Sequence, residues 1–179
     1  MTPDTTPALA ARLWLLGERA IASLDALKPL VQLGARLYVA NVFFRSGLTK
    51  LRDWDTTLAL FADEYRVPLL NPTLAAYLGT GAELALPVLL VAGLFGRFAA
   101  AGLSVLNIVA LISLIGDVPD AALMGHVFWA SLLGFVVLWG PGVLSLDFWL
   151  VPRLRAHVLG REPAARPGAG PAARVSREA

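Results

Sequence analysis

Three stretches of the chain run apolar almost without a break: Thr73 to Phe95, Phe98 to Gly116 and Ala121 to Gly140. About 20 helical residues cross the hydrocarbon core of a bilayer, so each stretch is long enough to span one. Only Gly96-Arg97 and Asp117-Val118-Pro119-Asp120 separate them, and turns this tight force neighbouring spans to run antiparallel. A fourth stretch, Leu30 to Leu51, is broken by Arg36, Asn41, Arg45 and Lys50. Arg36 and Lys50 lie towards opposite ends and can snorkel to opposite interfaces, which leaves Asn41 and Arg45 needing partners inside. We read it as a span; the competing reading is a three-span protein with this segment on the membrane surface. The predicted fold class is all-α, a four-helix transmembrane bundle with an N-terminal amphipathic interfacial helix and a short outer-loop helix.

Before the first span, Leu9, Leu13, Leu16, Ala20, Leu24 and Leu27 recur at three- and four-residue spacing, with Glu18 and Asp25 opposite. That is one apolar stripe on a helix, which Lys28-Pro29 is expected to end. The helix either lies in the membrane interface or caps the bundle. Arg12, Glu18, Arg19 and Asp25 interrupt any clean apolar core for a cleaved leader. Between the first two spans, Leu58, Phe61, Ala62 and Tyr65 form a second, shorter stripe, with Asp53 or Asp55 available to cap it and Asn71-Pro72 to turn the chain back. The domain division is therefore 1–29 amphipathic segment, 30–150 membrane domain and 151–179 basic tail. From about Gly160 the tail is rich in Ala, Pro, Gly and Arg without hydrophobic period, a composition of disorder.

Composition agrees with a lipid setting. The chain is 57% hydrophobic and 16% charged, against about 45–50% and 25% for soluble domains. Its net charge is only +2, but the charges are unevenly placed. Basic residues gather in the N-terminal segment, at Arg97 and in the tail, whereas the 52–72 loop and Asp117/Asp120 are acidic or mixed. The positive-inside rule then puts both termini in the cytoplasm of a bacterial cell, with the protein multi-pass in the inner membrane. With no cysteine there is no disulfide, thiolate metal site or iron–sulfur ligation by this chain, and two histidines, His126 and His157, do not make an intramembrane bis-histidine haem. No metal-ligand spacing, phosphate loop, catalytic serine motif or nucleic-acid patch beyond the tail is present.

Arg36-Leu37 followed by Phe43-Phe44-Arg45-Ser46-Gly47-Leu48-Thr49-Lys50 resembles the opening motif of the DoxX family of small integral membrane proteins. In order along the chain, Gly79-Thr80-Gly81-Ala82-Glu83-Leu84, Gly93-Leu94-Phe95-Gly96-Arg97 and Gly140-Pro141-Gly142-Val143-Leu144-Ser145-Leu146-Asp147 resemble its later motifs, covering about residues 30 to 150. The resemblance implies four transmembrane helices. Its relatives include the membrane subunit of a thiosulfate:quinone oxidoreductase, and others accompany redox-stress complexes or metal-handling operons.

Glu83 is the sharpest candidate. It lies roughly 15 Å into the second span, where an unpaired acid is expensive. Arg45 or Arg36 on the antiparallel first span is the expected partner. Pro87 removes the N–H that would bond the Glu83 carbonyl. The pair is either a structural tie or part of a ligand, quinone or proton site. Ser46 and Lys50, one turn apart, read as an anion or headgroup site or as interface anchors. His126 reads as a hydrogen-bonding core residue or a ligand, and Asn107 as a cross-helix bond. Candidate polar-cluster residues are thus Arg36, Arg45, Ser46, Lys50, Glu83 and His126; catalytic residues are not identified. The leading expectation is a non-catalytic or accessory subunit of a membrane redox complex, with no cofactor within the chain and quinone as the associated one. It would meet the lipid bilayer, a redox or metal-handling partner protein and further copies of itself, and no nucleic acid. The alternatives are a small-molecule or ion carrier using that cluster, and a membrane scaffold recruiting a partner protein.

Overall fold

The computed structural model describes residues 6–65, 67, 69–113 and 119–160, and these are all-helical. The helices are α1 (Thr6–Arg52), α2 (Trp54–Asp63), α3 (Pro72–Ala92), α4 (Gly96–Ser113), α5 (Asp120–Trp139) and α6 (Leu146–Val158). Helices α3, α4 and α5 are long and apolar enough to cross a membrane; α1 is not among them. Its expected crossing segment is diluted by Arg36, Arg45 and Lys50.

α1 is one helix of 47 residues, roughly 70 Å long, with Pro29 inside it. This corrects the expected break at Lys28-Pro29 and the separate N-terminal helix. A proline removes one backbone hydrogen bond, here to the Asp25 carbonyl, but stops a helix only when the chain beyond it prefers another conformation. The residues beyond, Leu30 to Gly34, do not. Residues 10–28 are exposed throughout, so this half of α1 does not fold over the bundle as a cap.

The C-terminal half of α1 packs with α3, α3 with α4, α4 with α5, and α5 with α1, closing a four-helix ring. Its core is Val39, Ala40 and Phe43 of α1, Leu90 of α3, Ala99, Ala100 and Leu103 of α4, and Leu133 and Val136 of α5. The alanines let backbones approach closely, as they must where lipid offers no hydrophobic drive to helix association. Large apolar side chains point outward instead, among them Val105, Ile108, Ile112, Met124 and Phe128. α2 lies over the start of α3, with Phe61 packed on Ala75 and Ala76. Of the two acids the loop offered, Asp53 caps α2; at the Asn71-Pro72 turn Asn71 caps α3, with Pro72 at the start of the helix. The tail from residue 161 lies outside the described residues.

Candidate functional site

The site starts from a glycine. A Cβ on Gly47 would stand 2.9 Å from Leu84 and 3.2 Å from the Glu83 Cβ, so α1 and α3 are in contact at that level. One turn on, the Lys50 ammonium reaches across. Its Nζ lies 2.6 and 2.8 Å from the two Glu83 carboxylate oxygens and 2.9 Å from the Ser46 hydroxyl oxygen. All three ammonium donors are thereby used. The side chains are 19% and 13% exposed, which makes this a largely buried pair rather than a surface one.

Lys50 therefore replaces Arg45 and Arg36 as the partner of Glu83, and helix geometry explains why. Arg45 is two residues from Gly47, about 200° around the helix and on the opposite face. Arg36 is eleven residues away, on the same face but about three turns, or 16 Å, too far along.

Next to the ion pair lies a hollow of ≈ 360 Å³ lined by Leu51, Trp54, Tyr77, Thr80, Gly81 and Leu84. Tyr77, Thr80/Gly81 and Leu84 share one face of α3 by their spacing. The rings of Trp54 and Tyr77 meet at 4.7 Å. α2 is held over the hollow by the Thr57 hydroxyl, which donates to the carbonyls of Lys50 and Asp53, each at 2.9 Å. Thr80 is 2% exposed and its hydroxyl has no hydrogen-bond partner among the described residues. A buried hydroxyl left unpaired is destabilising by about 1–3 kcal/mol, and such groups are rare enough to need a reason. Sequence reasoning missed Trp54, Tyr77 and Thr80: the face that Tyr77 and Thr80 share on α3 follows from their spacing, but the gap between α2 and the seam does not.

The other predicted residues lie elsewhere. Arg36 is fully buried, and its guanidinium donates to the carbonyls of Leu90 and Leu144. It belongs to a knot where α3, α4 and α6 meet. Gly93 (φ 65°) ends α3, the Asp147 carboxylate accepts from the Phe95 and Gly96 N–H groups at 2.9 and 2.7 Å, and the Asp147 N–H donates to the Gly93 carbonyl at 2.9 Å. A side chain at Gly93 would run into Ser145 and Arg36. The glycine-rich motifs are thus the joints of this knot.

His126 pairs with buried Asn107. The Asn107 amide nitrogen donates to the His126 carbonyl at 3.0 Å, so its oxygen, 2.8 Å from Nδ1, accepts. That fixes the Nδ1–H tautomer and leaves Nε2 bare. Arg45 is exposed on α1, where its Nε donates to Asn41 Oδ1 at 3.2 Å. An arginine at a helix centre costs about 2.5–3.5 kcal/mol on insertion scales. Of the six candidates, then, Ser46, Lys50 and Glu83 converge, while Arg36, Arg45 and His126 stand apart. Outside the helical ring, burial above all, then the charges of Glu64 and Glu83, hold the Tyr65 phenol above its ordinary range.

Comparison with curated proteins and with solved structures returns no match. A family model, DoxX, matches residues 31–116. The match includes Ser46, Lys50, Thr80 and Glu83 and stops before His126 and the residues 140–147 of the knot. With three helices among the described residues long and apolar enough to cross, the DoxX match over residues 31–116 is consistent with a multi-pass membrane protein of the DoxX family.

Proposed function

We propose that the protein is an accessory membrane subunit of a quinone-linked redox complex, and that its Lys50–Glu83 seam and the adjoining hollow hold the quinone ring. One observation carries the reading: Thr80, whose buried hydroxyl has no partner among the described residues, is among the residues that line a ring-sized hollow near the only acid within the apolar stretches. The residues present suit such a ring. Trp54 and Tyr77 offer π-faces, Leu51 and Leu84 apolar walls, Gly81 room, and Thr80 a donor for a ring carbonyl. A bound quinone supplies two-electron, two-proton redox chemistry. What this chain would supply is orientation through Thr80 and, in the seam alongside the hollow, a Glu83 carboxylate held by Lys50. With no cysteine in the chain, the electrons come from a partner protein.

The reading includes α1 as a fourth span. Its buried arginine donates to two carbonyls, with Nε left without a partner among the described residues, and its lysine pairs with Glu83, so two of the three charges that dilute its apolarity find polar partners within the ring. Both termini are cytoplasmic in this arrangement, residues 52–72 lie on the outer side, and the membrane is the bacterial inner membrane. A carrier working through one polar cluster is disfavoured because Arg36, Arg45 and His126 do not join Glu83.

The test is extraction into lipid nanodiscs without harsh detergent, followed by mass spectrometry of the organic extract. Quinone at near-stoichiometric level in wild type and much less in Thr80→Val supports the reading; equal quinone in both, at the level of the bulk membrane, refutes it. Topology is checked separately with single cysteines. A membrane-impermeant thiol reagent on intact cells labels Ala59→Cys and spares Ala22→Cys if α1 crosses as stated.

A further inference from the structure

We infer that the outward face of α1 is the docking surface for a transmembrane helix of another protein, one that presents a carboxylate near mid-bilayer to Arg45. The inference rests on the reading of α1 as a span. Asn41, Arg45, Thr49 and Arg52 recur at i, i+4, i+8 and i+11, which places them in one stripe, and all four are exposed. Leu37, Phe44 and Leu48 flank the stripe and are exposed too. No helix among the described residues covers it.

Depth makes the stripe costly. Gly47 abuts Glu83 and Leu84 near the middle of α3, so Arg45, half a turn away, stands near the middle of the bundle. Measured along α1 it is about 9 Å from Leu51 and 22 Å from Leu30. The guanidinium does not turn to the nearer end. Its Nε donates to Asn41, one turn towards the farther end. Its remaining N–H donors have no partner among the described residues. The Thr49 hydroxyl is occupied by the Arg45 carbonyl, at 3.0 Å. A charged group in lipid is retained where it meets a counter-charge.

This chain cannot supply that charge. Glu83 is the one acid within residues 30–52, 73–92, 96–113 and 121–139, and Lys50 holds both its oxygens. A second copy would bring Arg45 towards Arg45 across a two-fold axis, where like charges repel. The complementary surface is therefore a different helix carrying Asp or Glu, flanked by small or apolar residues that fit between Phe44 and Leu48.

The test uses the full chain in phosphatidylcholine vesicles, labelled at Ala59→Cys as its only cysteine. The probes are synthetic transmembrane helices of leucine and alanine with one central Glu, Gln or Leu, labelled for energy transfer. The expected result is at least tenfold tighter association of the Glu helix than of the Gln or Leu helix, with the preference lost in Arg45→Leu. Equal association of the three helices with wild type overturns the inference and needs no variant. Energy transfer between copies of the protein that depends on Arg45 would give the stripe to a second copy and also overturns it. So would loss of the Glu preference when phosphatidylglycerol replaces part of the phosphatidylcholine, which would give Arg45 to lipid phosphate. The same Ala22→Cys and Ala59→Cys labelling separates the two layers: both positions on one side means α1 does not cross, whereas opposite sides without a Glu preference removes this inference alone.

Discussion

Two regions of the bundle each hold a buried basic residue, and they hold it in opposite ways. At the knot where α3, α4 and α6 meet, Arg36 gives its protons to main-chain carbonyls while Asp147 takes protons from main-chain N–H groups. Side-chain charge there is spent on helix ends, which need partners in any fold. At the α1–α3 seam the charges are spent on each other, Lys50 on Glu83, beside a hollow and a hydroxyl with no partner among the described residues. The knot too has a hollow, ≈ 840 Å³, walled by Phe95, Phe98, Trp139 and Phe148 and edged by Asp25, Lys28, Arg97 and Asp147, open and mostly apolar like the one at the seam. The two regions differ in what the charge meets, main-chain groups at the knot and an opposite charge at the seam; each also keeps one buried polar atom, Arg36 Nε and the Thr80 hydroxyl, without a partner among the described residues.

That contrast can be broken by mutation. The largest effect is expected at the knot. Arg36→Leu removes the side-chain donor to the Leu144 carbonyl and one of the two donors to the Leu90 carbonyl, and partly empties the space of a fully buried arginine, a loss of about 3 kcal/mol, read as a lower melting temperature by circular dichroism in detergent. Any folded fraction should still bind quinone, because the knot is remote from the hollow; a stable Arg36→Leu protein that has lost quinone would merge the two regions. Glu83→Gln comes next. Breaking one partner of a buried pair costs about 3–5 kcal/mol in soluble proteins, and snorkelling softens it here. Adding Lys50→Met should recover at least about 1 kcal/mol, whereas adding Arg45→Leu should recover nothing. Recovery through Arg45 would restore the partner that helix geometry rules out. Gly47→Val forces a branched side chain against Leu84 and should cost about 1–3 kcal/mol; an unchanged melting curve would mean the seam is looser than the contacts indicate.

The smallest effect concerns alkaline pH. Tyr65 titrates above its ordinary value of 10.0 because its neutral form is favoured in the fold. A raised native pKa contributes stability that is complete below the unfolded value and is lost as pH rises through the native one. Wild type should therefore lose stability above about pH 10, and Tyr65→Phe, which keeps the ring packed against Phe61, should show a flatter alkaline limb. Parallel curves for the two proteins would deny Tyr65 that role.

Much of this was legible in the sequence. Apolar length predicted α3, α4 and α5, Asp53 was one of two acids expected to cap α2, and Asn71-Pro72 was expected to turn the chain into α3, because span length, capping and turns are local properties. Ser46 and Lys50 were placed on one face by spacing alone. The partner of Glu83 was not legible, since it depends on how far α1 slides along α3, and that is set by a close contact at Gly47 between residues far apart in the chain. Pro29 misled for a related reason: a proline removes one bond, and whether the helix resumes is decided by the residues beyond it. Thr80 was invisible because an unpaired hydroxyl is a fact about its surroundings.

The most direct test of the site is quenching of Trp54. A variant with Trp14, Trp129, Trp139 and Trp149 changed to Phe keeps Trp54 as the only tryptophan. In nanodiscs it should show saturable quenching by a short-chain quinone, and Thr80→Val in that background should weaken the apparent affinity about tenfold, the equivalent of one hydrogen bond, with a melting temperature unchanged or raised. Linear, unsaturable quenching, or the same affinity with and without the Thr80 hydroxyl, would contradict the account.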